Sequence, residues 1–351
     1  MSIENTIKQN EAFQFALKNL SQKVTHVFVT GAGGFLGQAI CKSLLNANIK
    51  VTGFARSAYP SLDALGVTMI QGDIANKEEI KLAMQGCDLV FHVASKAGVW
   101  GAKADYFEPN VAGAKNILDV CRDLNIKHLV YTSTPSVTFS GVDENGIDES
   151  QPYAKQYLNY YGESKAIAED MVLKSNNENL KTIAIRPHLI WGPNDPHLVP
   201  RVLSRAKAGK LKLIGKEDKL VDTIYIDNAA YAHILAADAL MQPKPICGGK
   251  AYFVSNDQPI TMAQMLNKIL TCANLPPVNK RVPSLAAYIF GSILERVYLM
   301  LGRKQEPILT KFVARQLSTS HYFNIDAAKR DLGYQPLVSI SQGMTILKKS
   351  L

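Results

Sequence analysis

An α/β fold, a doubly wound parallel sheet with a smaller C-terminal substrate subdomain, is predicted by three observations. Strand-like apolar runs alternate with helical stretches from Thr25 onward. Runs such as LVFHVA and HLVYT are mostly apolar and carry no acidic, lysine or arginine residue, as a parallel sheet covered on both faces requires. The first strand-to-helix turn, in VFVTGAGGFLGQAI, is crowded with glycine. Together they read as a sheet of the Rossmann type.

The strands are expected at 26–30, 50–55, 67–71, 88–94, 128–132 and 182–186, each a short apolar run. Helices are expected between them at 36–46, 77–84, 106–124 and 161–174. Residues 1–23 read as a polar extension with a short helix near 12–20, outside the main pattern. Residues 24–190 then form the dinucleotide-binding domain with the catalytic residues, and 191–351 a mixed C-terminal part that contributes the substrate subdomain. Beyond Trp191 the alternation loosens at Pro193, Pro196 and Pro200, followed by VDTIYIDNAA and a strand at 251–255, near which the smaller subdomain is expected to begin.

Composition excludes more than it names. With 47% hydrophobic and 20% charged residues, the chain is neither disordered nor collagen-like. Its net charge of +9 is scattered rather than gathered into aromatic-interleaved basic runs, so an anionic cofactor and substrate are expected and a nucleic-acid partner is not. Five dispersed cysteines without a C-x-x-C pair suit reduced thiols, and seven dispersed histidines show no metal-ligand spacing, so no metal is expected.

Charges at Glu4, Lys8 and Glu11 precede any apolar run, which argues against a signal peptide and makes a cytoplasmic, at most peripherally membrane-bound protein the expectation. The most membrane-like stretch, 284–301, is interrupted by Glu295 and Arg296; it could lie on a membrane, line an apolar pocket or pack in a subdomain core.

The glycine turn fits G-x-x-G-x-x-G through Gly31, Gly34 and Gly37, whereas G-x-G-x-x-G fails at Leu36. Such a turn brings backbone N–H groups and a helix N-terminus to a pyrophosphate, and Phe35 and Leu36 belong to the same contact. NAD-specific domains place an acid about 20 residues on, at the end of the second strand. Here Ala55 stands there, followed by Arg56 and Ser57, which offer a guanidinium and a hydroxyl to a 2′-phosphate, so NADP(H) is expected. Asp73 and Ile74 after the third strand and Ala94 after the fourth complete the expected cofactor contacts; Asp73 reads equally as a helix N-cap.

Tyr161 and Lys165, four apart in YYGESK, stack on one helix face. An ammonium beside a phenol favours the phenolate and lowers its pKa of about 10, which would let Tyr161 act as acid or base. Among the hydroxyls of VYTSTPSV, Thr134 is the expected partner at the end of the fifth strand.

TGAGGFLG, GDI, HVAS, YTSTPSV, YGESK and RPHLIWGP together resemble the extended short-chain dehydrogenase/reductases over 25–340. The resemblance implies that Tyr161 is the general acid/base, that Lys165 binds the nicotinamide ribose and that Thr134 steadies the carbonyl oxygen. It adds Asn110 to the catalytic set, where a structural amide is the alternative. Pro187 and His188 match the segment beside the nicotinamide, and His188 either faces substrate or is a core histidine. Similar dehydratases and decarboxylases carry an acid directly after the catalytic hydroxyl, whereas Pro135 and Ser136 follow Thr134. Similar epimerases retain NAD, against which Ala55 and Arg56 argue.

Within that class, FHVASKAGVWG, VDTIYIDNAA and AYFVSNDQP look like the bacterial 3-beta-hydroxysteroid-dehydrogenase-like reductases of long-chain olefin synthesis. The resemblance implies reduction of 2-alkyl-3-oxoalkanoic acids by NADPH. A steroid or sterol dehydrogenase is the second reading, and a nucleotide-sugar epimerase a weaker one. A cofactor-sensing regulator would not need Tyr161 and Lys165. The substrate is expected to be a small apolar or anionic lipid-like molecule, contacted by Trp100, Trp191 and His188, with Lys96, Lys103 or Arg201 meeting a carboxylate. A homodimer and association with other enzymes of its pathway are further expectations.

Overall fold

The computed structural model describes residues 10–351. Its centre is a seven-stranded, all-parallel sheet. In spatial order the strands are Thr68–Gln71 (β3), Lys50–Ala55 (β2), His26–Thr30 (β1), Leu89–His92 (β4), His128–Thr132 (β5), then Lys181–Pro187 and Ala251–Val254. β1 lies between β2 and β4, so the strand order reverses there. In such sheets ligands bind at the carboxyl ends of the strands around that reversal.

The burial follows from the sequence. β4 is buried at every position and Lys181–Pro187 at all but its first, because helices cover both sheet faces. One core, including Val27, Val29 and Ile40, lies between the sheet and helices Phe35–Asn46 and Ile226–Leu240; another, including Phe28, Ile117 and Val172, fills the opposite face.

Two expectations are corrected. The strand expected at 251–255 does not open a smaller subdomain; Ala251–Val254 pairs with Lys181–Pro187 at the edge of the main sheet. Conversely, Glu144–Ile147 leaves the first domain's run of sequence and joins His321–Phe323, Leu220–Val221 and Ile260–Thr261 in a separate four-stranded sheet. The two structural units therefore exchange segments along the chain.

The helix expected at 12–20 is Glu11–Ser21, and it is not outside the fold: Phe13, Ala16, Leu17 and Leu20 are buried, with Phe13 edge-on to Tyr231 at 5.1 Å. The other part of the extension, 1–9, lies outside the described residues. The helix expected at 106–124 divides into Lys103–Phe107, a π-helical turn Glu108–Ala112, and Gly113–Asp123. Pro109 lacks the N–H that an α-helical ladder needs, and the widened turn directs Asn110 inward, where it is 1% exposed.

Among the described residues no helix is long and apolar enough to cross a membrane. The stretch at 284–301 forms helix Ser284–Met300, which turns Ala286, Ala287 and Phe290 toward a large cavity.

Candidate active site

One cavity of about 1480 Å³ runs from the glycine turn, past the end of β5, to the helix Ser284–Met300. At its first end the chain is shaped by close approach. Gly31 takes φ +64°, and a Cβ on Gly37 would lie 2.1 Å from the Gly31 carbonyl oxygen, so the turn closes only with glycine there. Gly34 caps the helix Phe35–Asn46 without a side-chain bond, which leaves the first N–H groups available to an anion. This cradle fits a dinucleotide pyrophosphate.

Gly31, Gly34, Phe35, Leu36 and Gly37 line this end, as do Arg56, Ser57, Asp73, Ile74 and Ala94. Arg56 is exposed directly after β2. Asp73 is not the helix N-cap; Asn76 is, accepting from Glu78 and Glu79 N–H groups, while Asp73 closes a short turn onto Ala75 N–H at 2.9 Å.

Further along, Thr134 and Tyr161 face the cavity together. Thr134 stands two residues beyond the end of β5 and accepts from Ser136 N–H at 3.2 Å. Tyr161 lies in the first turn of the helix Tyr160–Lys174, capped by Asn159, which accepts from Gly162 N–H at 2.9 Å. A Cβ on Gly162 would lie 2.9 Å from the Ser136 carbonyl oxygen, so glycine lets this helix approach the turn that carries Thr134.

Burial pushes the Tyr161 phenol above its ordinary value, and its hydrogen bond with Thr134 opposes this. The expected lowering by Lys165 is therefore not what this arrangement produces. Lys165 is 1% exposed and does not line the cavity; its Nζ donates to the Thr132 carbonyl at 2.6 Å and lies 4.1 Å from the Tyr131 ring centre. Desolvation pushes its pKa down to about 7 against the pull of Glu169, whose carboxylate is bonded to Arg186.

Asn110 does not line the cavity either. Its Oδ1 accepts from Lys96 N–H at 2.7 Å, and its Nδ2 donates to the Lys96 carbonyl at 3.1 Å and to Ser164 Oγ at 2.9 Å. It is a strut between the loop after β4 and the helix that carries Tyr161.

Pro187 and His188 line the cavity. His188 Nδ1 faces the Asp222 carbonyl at 2.7 Å, which fixes the proton on Nδ1 because a carbonyl only accepts. Burial and the nearby His321 hold its pKa down at about 3, so the ring is neutral.

Among the expected substrate contacts, Lys96 and Arg201 line the cavity, whereas Trp100 and Trp191 do not. Trp191 is fully buried, donates to Thr223 Oγ1 at 3.1 Å and packs edge-on to Tyr225: it is core. Trp100 donates to the Arg303 carbonyl at 3.4 Å and packs against Tyr298, outside the cavity lining. Lys103 is paired with Glu163 at 3.3 Å.

Sequence reading missed Arg205, Glu306 and the apolar wall of Ile308, Leu309, Phe312 and Val313. Arg205 was within reach of sequence, since it follows Arg201 by one helical turn; the wall was not, because nothing local marks those residues as facing a cavity.

Oxidoreductases of the extended short-chain dehydrogenase/reductase class share this sheet and this use of its strand ends, and the present enzyme is one of them, acting on a hydroxyl or ketone group. The chain belongs to the 3-beta hydroxysteroid dehydrogenase/isomerase family, whose sequence profile matches residues 28–280. It is 65% identical over 345 residues to the 2-alkyl-3-oxoalkanoate reductase of Shewanella oneidensis, across 96% of this chain and 89% of that one. It is 33% identical over 348 residues to the decarboxylating sterol-4-alpha-carboxylate 3-dehydrogenase of Mus musculus, across 98% and 95% of the two chains. The UDP-glucuronic acid 4-epimerase from Bacillus cereus, solved in complex with NAD, shares the fold with a TM-score of 0.70 at 20% identity, over 93% of this chain and 98% of that one. The class uses nicotinamide cofactors.

Proposed function

We propose that this enzyme is an NADPH-dependent reductase that converts a long-chain 2-alkyl-3-oxoalkanoic acid to the 2-alkyl-3-hydroxyalkanoic acid. The observation that carries the reading is a single cavity joining three regions: a glycine cradle with Arg56 beside it, the Thr134 and Tyr161 hydroxyls, and an apolar chamber walled by Phe290, Ile308 and Phe312. The identity to the Shewanella oneidensis reductase supports the same substrate class.

In this reading the glycine turn and the N-terminus of Phe35–Asn46 bind the pyrophosphate, Arg56 and Ser57 bind the 2′-phosphate, and Pro187 borders the nicotinamide. NADPH, when bound, supplies the hydride. Thr134 orients the ketone oxygen and Tyr161 donates the proton to it, so that positioning and a placed acid lower the barrier. Lys165 would hold the cofactor ribose, while Asn110 acts as a positioning residue. The apolar chamber holds the alkyl chains.

The test is to incubate the purified enzyme with NADPH or NADH against long-chain 3-oxo acids, sterols and UDP-sugars. Oxidation of NADPH by the 3-oxo acids is expected, with Tyr161→Phe abolishing turnover but retaining NADPH binding. Turnover on sterols alone, the activity class of the mouse relative, would replace the substrate assignment.

A further inference from the structure

A long-chain 3-oxo acid brings a carboxylate into an apolar cavity, where burial favours its protonated form. Protonation has a chemical consequence for this substrate. The carboxyl proton passes to the 3-oxo oxygen, the C1–C2 bond breaks, its electron pair forms the enol double bond, and CO2 leaves. An enzyme that is to deliver a hydroxy acid therefore needs a cation that keeps the carboxylate ionised beside the reacting ketone.

The cavity contains several cations, and pairing sets two of them aside. Arg201 is paired with Glu306 at 3.1 Å, and Arg205 donates to the Ile308 carbonyl at 2.8 Å. Lys210 and Lys212 line the cavity between helix Leu198–Lys207 and strand Leu213–Ile214 and, like Arg56 beside the glycine turn, have no side-chain hydrogen bond or ion pair among the described residues; none of the three is tied by hydrogen bonds to the helix of Tyr161. Lys96 lies in the loop after β4, whose neighbour β5 is followed two residues on by Thr134. Its ammonium has no hydrogen bond or ion pair among the described residues.

The backbone of Lys96 is held with unusual care for an exposed residue. The buried Asn110 amide binds both its N–H and its C=O, and the same amide donates to Ser164 Oγ, which in turn donates to the Tyr161 carbonyl at 2.9 Å. Two side chains and three successive hydrogen bonds thus connect the Lys96 backbone to that of Tyr161. Lys96 and Tyr161 line the same cavity.

We propose that Lys96 is the specificity-determining cation that binds the C1 carboxylate of the 3-oxo acid and keeps it from losing CO2 before reduction. The proposal rests on the substrate class argued above, and Asn110 positions the lysine.

The test compares the native enzyme, Lys96→Gln and Lys96→Arg on a 2-alkyl-3-oxoalkanoic acid and on its methyl ester, which carries no charge and cannot lose CO2. For Lys96→Gln, KM for the acid and Kd for the unreactive 3-hydroxy acid are expected to rise on the order of 10- to 100-fold, the worth of a charge-assisted hydrogen bond. The loss is confined to the acid, the ketone formed by CO2 loss rises among its products, and Lys96→Arg restores both.

Equal losses on acid and ester, unchanged acid binding, or a parallel loss of NADPH affinity in a fluorescence titration would overturn the assignment, the last by giving Lys96 to the cofactor. Failure of the native enzyme on both acid and ester would instead overturn the proposed function.

Discussion

Tyr161 and Lys165 stand four residues apart on one helix, but their side chains serve different surroundings here. Tyr161 borders the cavity, while Lys165 reaches beneath it to the Thr132 carbonyl. The Lys165 ammonium carries a burial cost that depends on pH. Below about 7 it is protonated in both folded and unfolded chains, so the full cost is present. Between about 7 and its ordinary value of 10.5 the unfolded chain holds one more proton, so this group's contribution to stability rises with pH. Lys165→Met is therefore expected to be favoured relative to the native chain near neutral pH, and to lose that advantage as the pH is raised to about 10. Urea unfolding of both chains at the two pH values measures it; a pH-independent difference would show that the ammonium is not held as described.

The turn between β1 and helix Phe35–Asn46 depends on contacts that leave no room for a side chain. At Gly37 an added Cβ would meet the Gly31 carbonyl oxygen and the Ala32 Cα, both backbone atoms that cannot rotate away. Gly37→Ala is expected to cost ~1–3 kcal/mol of stability through overpacking. It should also weaken binding of the nicotinamide cofactor by at least about tenfold as the turn opens and the helix N-terminus moves off the pyrophosphate. Chemical denaturation and a fluorescence titration give the two numbers; a variant that binds normally would show that the turn adjusts without moving its N–H groups. The π-helical turn at Glu108–Ala112 is the complementary case, in which Pro109 interrupts a helical ladder and Asn110 thereby reaches Lys96 and Ser164.

At the scale of the whole molecule, the N-terminal helix Glu11–Ser21 is an integral layer. It packs through Phe13 and its buried neighbours onto helix Ile226–Leu240, which itself covers the main sheet. Phe13 lines no part of the cavity. Phe13→Ala is expected to destabilise the protein by ~3–5 kcal/mol, as large-to-small changes at buried aromatic sites do, without altering affinity for the nicotinamide cofactor. The urea midpoint and the cofactor Kd, measured on the same preparation, separate the two effects. A small stability change would mean that the helix is only loosely docked.

The sequence alone determined the alternating strands and helices, the place of the glycine turn and the spacing of Tyr161 and Lys165, because each is written in neighbouring residues through hydrophobic period, backbone freedom or helical pitch. Even strand ends agreed closely: β2 and β5 span the residues expected for them. Long-range packing decided the rest. Trp191 looked like a substrate contact by its chemistry and became core, since only the fold shows that Thr223 and Tyr225 enclose it. Ala251–Val254 read as a C-terminal strand and joined the main sheet, because its hydrogen-bonding partner lies some 70 residues earlier in the chain. Which of the candidate cations are paired was likewise undecidable from order in the chain, as Glu163 and Glu306 reach Lys103 and Arg201 only after folding.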